Sequence, residues 1–233
     1  MAESELIVGT GESFDRFTLL LASLAALLLL GPLVDGVTDP LEVSTILFLA
    51  LMLALVRALD LHRGLLIFGI ALIACGFLYE TAVNRGAVVV VQPAILVITP
   101  CAFLLFVGAA IAGLLRVVLS HQSVTRETVR GGIAIYLLLA VVWSLLFEVV
   151  ALLDPAAFAG QVGDAGVDPA AVRGHFLYFS LTTMTTLGYG DIVPRSPFAR
   201  NLVTLEAVSG QLFLALFMAR LVGIQIAQEL KQR

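Results

Sequence analysis

The chain has 233 residues, 60% of them hydrophobic and only 13% charged, with a net charge of −4 and a mean hydropathy of +1.06. Soluble domains are about a quarter charged and under half apolar, so a water-soluble fold is excluded and an integral membrane protein is indicated. No two basic residues are adjacent, so nothing can neutralise a row of phosphates and nucleic-acid binding is excluded.

Cys75 and Cys101 lie inside apolar runs and read as small hydrophobes rather than a disulfide framework. With His62, His121 and His175 scattered along the chain, no resident metal site is expected. Residues 1–13 carry Glu3, Glu5 and Glu12 and no base. That is the wrong start for a secretory signal and predicts a short cytoplasmic tail.

A bilayer core about 30 Å thick needs ~20 apolar residues in a helix. The first span is expected from Phe17 to about Val34, stopped by Gly31-Pro32 and Asp35-Gly36, and the second from Leu41 to Leu59. A short third follows from Gly64 to about Tyr79. The fourth runs from Val88 to Leu119, with Pro93 in its first turn and Pro100 as a kink. The fifth covers Gly132 to about Leu153, and the sixth starts near Pro197 and reaches about Gln228.

Basic residues orient these spans. Arg16, Arg57, Arg63, Arg116, Arg126, Arg130, Arg220, Lys231 and Arg233 fall on one side, against Arg85, Arg173, Arg195 and Arg200 on the other. Six spans with both termini in the cytoplasm satisfy that bias. The expected units are a tail at 1–13, a four-helix domain at 14–119, a linker at 120–131, a second domain at 132–228 and a tail at 229–233.

Between the fifth and sixth spans the pattern changes. Residues 154–170 are rich in Gly, Ala, Pro and Asp and read as an outer loop. His175 to Thr185 is apolar but about ten residues long, too short to cross, and predicts a re-entrant half-helix. It runs directly into Thr185-Thr186-Leu187-Gly188-Tyr189-Gly190-Asp191. Irregular backbone at membrane depth persists only where protein or a water-filled path surrounds it.

This segment resembles the signature of the potassium channel superfamily, and the likeness covers about residues 132–228. It implies an all-α membrane protein with six transmembrane helices, a re-entrant pore helix and a selectivity-filter loop, assembled as a homotetramer. Backbone carbonyls would replace the hydration shell of a permeant K+ at Thr186, Leu187, Gly188 and Tyr189. Gly188 and Gly190 would supply positive φ. Leu187 stands where the family usually carries Val or Ile. No organic cofactor, no small-molecule substrate and no enzymatic activity are expected, and membrane lipid is the other partner.

The resemblance also implies supporting residues. Tyr178 and Phe179 stand where an aromatic pair packs around the filter, and Thr182 where relatives place a carboxylate or Val. Thr185 and Asp191 flank the filter. Glu148 is expected to brace the start of the outer loop. Glu206 is expected to accept hydrogen bonds behind the filter from Thr182 or Thr183 and to tune gating. Gly210 is either the hinge of the inner helix or a packing notch. Leu214, Met218 and Val222 share one helical face and read as the lower cavity and gate, with Phe217 and Leu221 as the competing face.

The first four spans resemble a voltage sensor in arrangement only. From Val88 to Leu115 no charged residue occurs, and Arg116 comes at the inner end. Steep voltage gating is therefore not expected, and gating falls to the pore itself, lipid, tension, pH or a separate protein. The competing readings are a potassium-uptake or transporter subunit, a weakly selective cation channel, and a non-conducting regulatory subunit. The location implied is the plasma membrane, or the inner membrane in a bacterium.

Overall fold

The computed structural model describes residues 10–34, 47, 50–56, 58, 69, 71, 75, 93–120, 123–160, 162 and 169–232. Its elements are α1 (Thr10–Val34), α2 (Pro93–Ser120), α3 (Arg126–Leu153), β1 (Phe158–Ala159), α4 (Pro169–Met184), β2 (Val193–Pro194) and α5 (Pro197–Gln232). The structure is predominantly helical. Three helices among the described residues are long and apolar enough to cross a membrane: Val97–Ser120, Arg126–Leu153 and Pro197–Leu230. Of the second and third expected spans, residues 50–56, 58, 69, 71 and 75 are helical, and the remainder lies outside the described residues except Leu47, also helical.

Boundaries differ from the sequence reading in instructive ways. α1 begins at Thr10, inside the expected tail. α2 opens on Pro93, where a missing N–H costs nothing, and continues through Pro100 as one helix. α3 starts at Arg126 rather than Gly132, because Thr125 caps it: Thr128 N donates to Thr125 Oγ1 at 3.2 Å. The connection between α2 and α3 therefore shrinks from 120–131 to residues 121–125. α4 extends six residues earlier than expected, from Pro169, yet at 16 residues it spans only about 24 Å. α5 runs on through Gln232, into the expected tail.

α3 is the wall between two apolar clusters. On one side Ile135, Leu138, Val141 and Leu145 meet Leu20 and Leu24 of α1, Leu51 and Leu55, and Val107 and Leu114 of α2. Helical spacing puts these α3 residues on one face. Towards its C-terminus Phe147 and Val150 join Phe158, Phe176, Phe179, Ile192 and Ala199. Phe147 lies 5.4 Å from Phe179 and 5.6 Å from Phe158, ring centroid to centroid, with tilted and edge-on planes. Such aromatic pairs add roughly 0.5–1.5 kcal/mol beyond their buried area.

The loop after α3 is more ordered than its composition suggests. β1 pairs antiparallel with β2, Phe158 opposite Pro194 and Ala159 opposite Val193. The Ala157 carbonyl accepts from Arg195 N at 2.7 Å and from Ser196 N at 3.2 Å. Gly160, at φ 102°, faces the Asp191 carbonyl so closely that no Cβ fits between them. The segment preceding α4 is thus tied to the one preceding α5.

Two adjacent glycines let neighbours reach the base of α3. A Cβ on Gly131 would meet Val118 and Phe17, and one on Gly132 would fall within the Phe217 ring of α5. Gly132→Ala should therefore push α5 away from α3 and lower stability by about 1–3 kcal/mol. Thermal unfolding in detergent checks this. Adding Phe217→Ala should restore part of the loss, because it removes the ring the methyl group strikes.

Candidate functional site: the loop after the half-helix

α4 ends at Met184, and the chain leaves it through a set of bonds that bind the following loop to the helix end. Thr185 N and Thr185 Oγ1 both donate to the Leu181 carbonyl, at 3.0 and 2.6 Å. Thr186 N donates to the Thr183 carbonyl at 3.0 Å. The Thr182 carbonyl accepts twice, from Leu187 N at 2.8 Å and Gly188 N at 3.1 Å. Four of the seven amides of residues 185–191 are thereby satisfied by the last turn of the helix.

Beyond this anchor the handedness of the backbone alternates. Thr186, Gly188 and Gly190 have φ of 61°, 54° and 80°, every second residue in the left-handed region. The two glycines were expected there. Thr186 was not, and a β-branched residue in that region is strained by about 1–3 kcal/mol. Residues 185–191 are all exposed on the single chain.

Tyr178 and Phe179, expected to act as a pair, part company. Tyr178 stacks on Tyr189 with ring centroids 6.3 Å apart and planes 8° from parallel. Phe179 turns the other way, into the cluster with Phe147 and Phe158. One helical step rotates a side chain by about 100°, so neighbours on a helix cannot share a face. Asp191, at the outer end, accepts from its neighbour Ile192 N at 3.1 Å.

Thr182 supports the loop with its carbonyl rather than its side chain, whose hydroxyl donates to the Phe179 carbonyl at 2.9 Å. Neither Thr182 nor Thr183 is the partner of Glu206. That partner is Ser180, whose Oγ is hydrogen-bonded to Glu206 Oε1 and to the Ala140 carbonyl, the latter at 2.9 Å. Ser180, on α4, thus joins α3 and α5. Nothing in its sequence context had singled it out.

Glu148 takes its partner from α4 rather than from the outer loop. Arg173 Nε and Nη2 donate to Glu148 Oε2 and Oε1, each at 3.2 Å, in a two-pronged ion pair. The two side chains are 12% and 9% exposed. Arg173 is legible in the sequence only as one of the outer-side bases.

Along α5, Gly210 packs against Met184, whose Cε lies 3.3 Å from where a Cβ would sit. Gln211 Nε2 donates to the Met184 carbonyl at 3.2 Å. At this point α5 is a continuous helix, with Gly210 against Met184 at the end of α4. Leu214, Met218 and Val222 are exposed, whereas the competing residue Phe217 stacks with Phe213 and closes over Gly132. Trp143 Nε1 donates to Ser209 Oγ at 3.2 Å, a further tie between α3 and α5.

A half-helix thus presents a left-handed loop between two membrane-capable helices, α3 and α5. Residues 133–225 match the family described as ion channel. That match takes in α4, the loop after it and most of α3 and α5, and it is to channels rather than to enzymes. The inward rectifier potassium channel Kirbac3.1 of Paramagnetospirillum magnetotacticum is 55% identical over 38 residues. That stretch covers 16% of this chain and 13% of the relative's length. No solved structure matches the chain.

The Glu148–Arg173 pair yields a prediction. Arg173→Ala strands a largely buried carboxylate and should cost on the order of 3–5 kcal/mol, whereas the double variant Glu148→Gln, Arg173→Gln should cost less. Thermal unfolding of the two variants, compared with wild type, measures the difference.

Proposed function

We propose that the chain is one subunit of a homotetrameric, potassium-selective channel that passes K+ down its electrochemical gradient through residues Thr186 to Gly190. The observation that carries this reading is the left-handed backbone at Thr186, Gly188 and Gly190, held by the Thr182 carbonyl at the end of a half-helix. Alternating handedness is what lets successive carbonyls address one axis, so the carbonyls of Thr186, Leu187, Gly188 and Tyr189 and the Thr186 hydroxyl are the ligands for K+. A single strand supplies one quarter of each ring. The relative's name, a potassium channel, supports the choice of ion.

Tetramerisation is supported by what one chain leaves uncovered. The loop 185–191 is exposed, and so are Leu205, Leu212, Leu216 and Met218 along α5. In the assembly proposed, Leu214, Met218 and Val222 surround the lower cavity, and a constriction there closes by dewetting. Thr185, Tyr178 and Asp191 stiffen the filter from its sides, and Gly210 keeps the inner helix against the pore helix. The chain crosses the plasma membrane (the inner membrane in a bacterium) six times, with both termini cytoplasmic.

Gating in this reading is not steeply voltage-dependent. α2 carries no charged residue before the exposed Arg116 near its C-terminal end. Each charge moved through the full field would contribute about 2.3 kcal/mol per 100 mV, and here there is none to move.

Reconstitution in planar bilayers tests both parts. Under opposed K+ and Na+ gradients the reversal potential should lie close to that for potassium, and open probability should change little across the voltage range. Equal permeability to the two ions, or steep activation by voltage, contradicts the reading. Gly190→Ala should abolish selective current, because a methyl group at φ 80° forces the outermost turn of the filter out of its left-handed conformation.

A further inference from the structure

Ser180 Oγ is hydrogen-bonded to two oxygens, the Ala140 carbonyl and Glu206 Oε1. A carbonyl oxygen and an ionised carboxylate can only accept, while a serine hydroxyl has one proton to give. With Glu206 ionised, two bonds would share one proton, and one pair of oxygens would face each other lone pair to lone pair. With Glu206 protonated the count closes. The acid donates to Ser180 Oγ, and Ser180 donates to the Ala140 carbonyl.

Burial leads to the same state by a separate route. Glu206 is 0% exposed on one subunit, so water, lipid and a neighbouring subunit are all kept from it. Its second oxygen, Oε2, has no hydrogen-bond partner among the described residues. A carboxylate ion in such a place has nothing to replace its lost hydration, and a buried group in that position gives up its charge. The groups around it offer no cation. On α3 the titratable side chain nearest in charge to it is Tyr136, which is neutral, and Trp143 spends its N–H on Ser209. On α4 its partner is Ser180, and on its own helix the nearby polar side chain is Ser209, whose hydroxyl donates to the Glu206 backbone carbonyl at 2.8 Å. No Lys, Arg, His, Asp or Glu among the described residues pairs with it.

We propose that Glu206 is a built-in neutral acid whose single proton completes a chain of hydrogen bonds from the inner helix, through Ser180 of the pore helix, to the Ala140 carbonyl of the outer helix. Ser180 lies two residues before Thr182, whose carbonyl holds the filter amides. Withdrawal of the proton therefore removes one of the two bonds by which Ser180 ties the pore helix to its neighbours, and the filter's support is loosened. Glu206 is a positioning residue. Its effect on conduction rests on the potassium-channel reading, but its protonation does not.

Infrared spectroscopy of the protein in lipid at neutral pH tests the first part without any need for current. Solvent-exposed carboxylates are ionised there, so a protonated carboxyl C=O band should be present in wild type and missing from Glu206→Gln. In Ser180→Ala the band should remain and move to higher frequency, because the acid loses its acceptor. Absence of a band that Glu206→Gln removes overturns the proposal, whether or not the protein conducts. The second part is read from K+ flux into vesicles as pH is raised. Wild-type flux should fall, by about tenfold per pH unit beyond the midpoint if only the protonated form conducts. Glu206→Gln, compared with its own neutral value, should stay flat. The same alkaline profile in both proteins, or a flat profile in both, overturns the link to the filter.

Discussion

A backbone that is neither helix nor sheet must find partners for its polar groups, and in the loop after α4 a large share of that demand converges on one oxygen. The Thr182 carbonyl accepts from two successive amides of the loop. Its position is set in turn by everything that fixes α4. Ser180 ties the helix to Ala140 and Glu206, Arg173 clamps it to Glu148, and Phe176 and Phe179 anchor it in the cluster around Phe147. The strained φ of Thr186 persists because these contacts over-determine the path into and out of it.

α3 makes that arrangement possible by presenting two faces. Leu138, Val141 and Leu145 close the apolar cluster shared with α1 and α2, while Ala140, Phe147 and Glu148 each hold a different residue of α4. α5, by contrast, is poorly covered along its length, with Leu205, Leu212, Leu216 and Met218 all exposed. In lipid such exposure carries little penalty, since lipid tails are as apolar as leucine.

What could be read in the sequence and what could not divide along a physical line. The half-length apolar run before Gly188-Tyr189-Gly190 was visible because span length is a one-dimensional property, and so was the absence of charge along α2. The helix starts at Arg126 and Pro169 were missed, since amphipathic or polar first turns carry little hydropathy signal. The pairing of β1 with β2 was invisible for another reason. Two residues per strand leave no alternating pattern, and the register comes from Gly160 and the Ala157 carbonyl. Partners were harder still: Glu148 and Glu206 stood out as costly groups, but Arg173 and Ser180 are ordinary residues until the helix brings them round. Tyr178 and Phe179 show the same limit, because adjacency in the chain conceals divergence on the helix.

The connection between α2 and α3 is five residues long, and both helices meet at the foot of α3. There Val118 of α2 and Phe17 of α1 fill the space left by Gly131. A methyl group at that point would press on both neighbours together, so one small residue decides how closely three helices can gather.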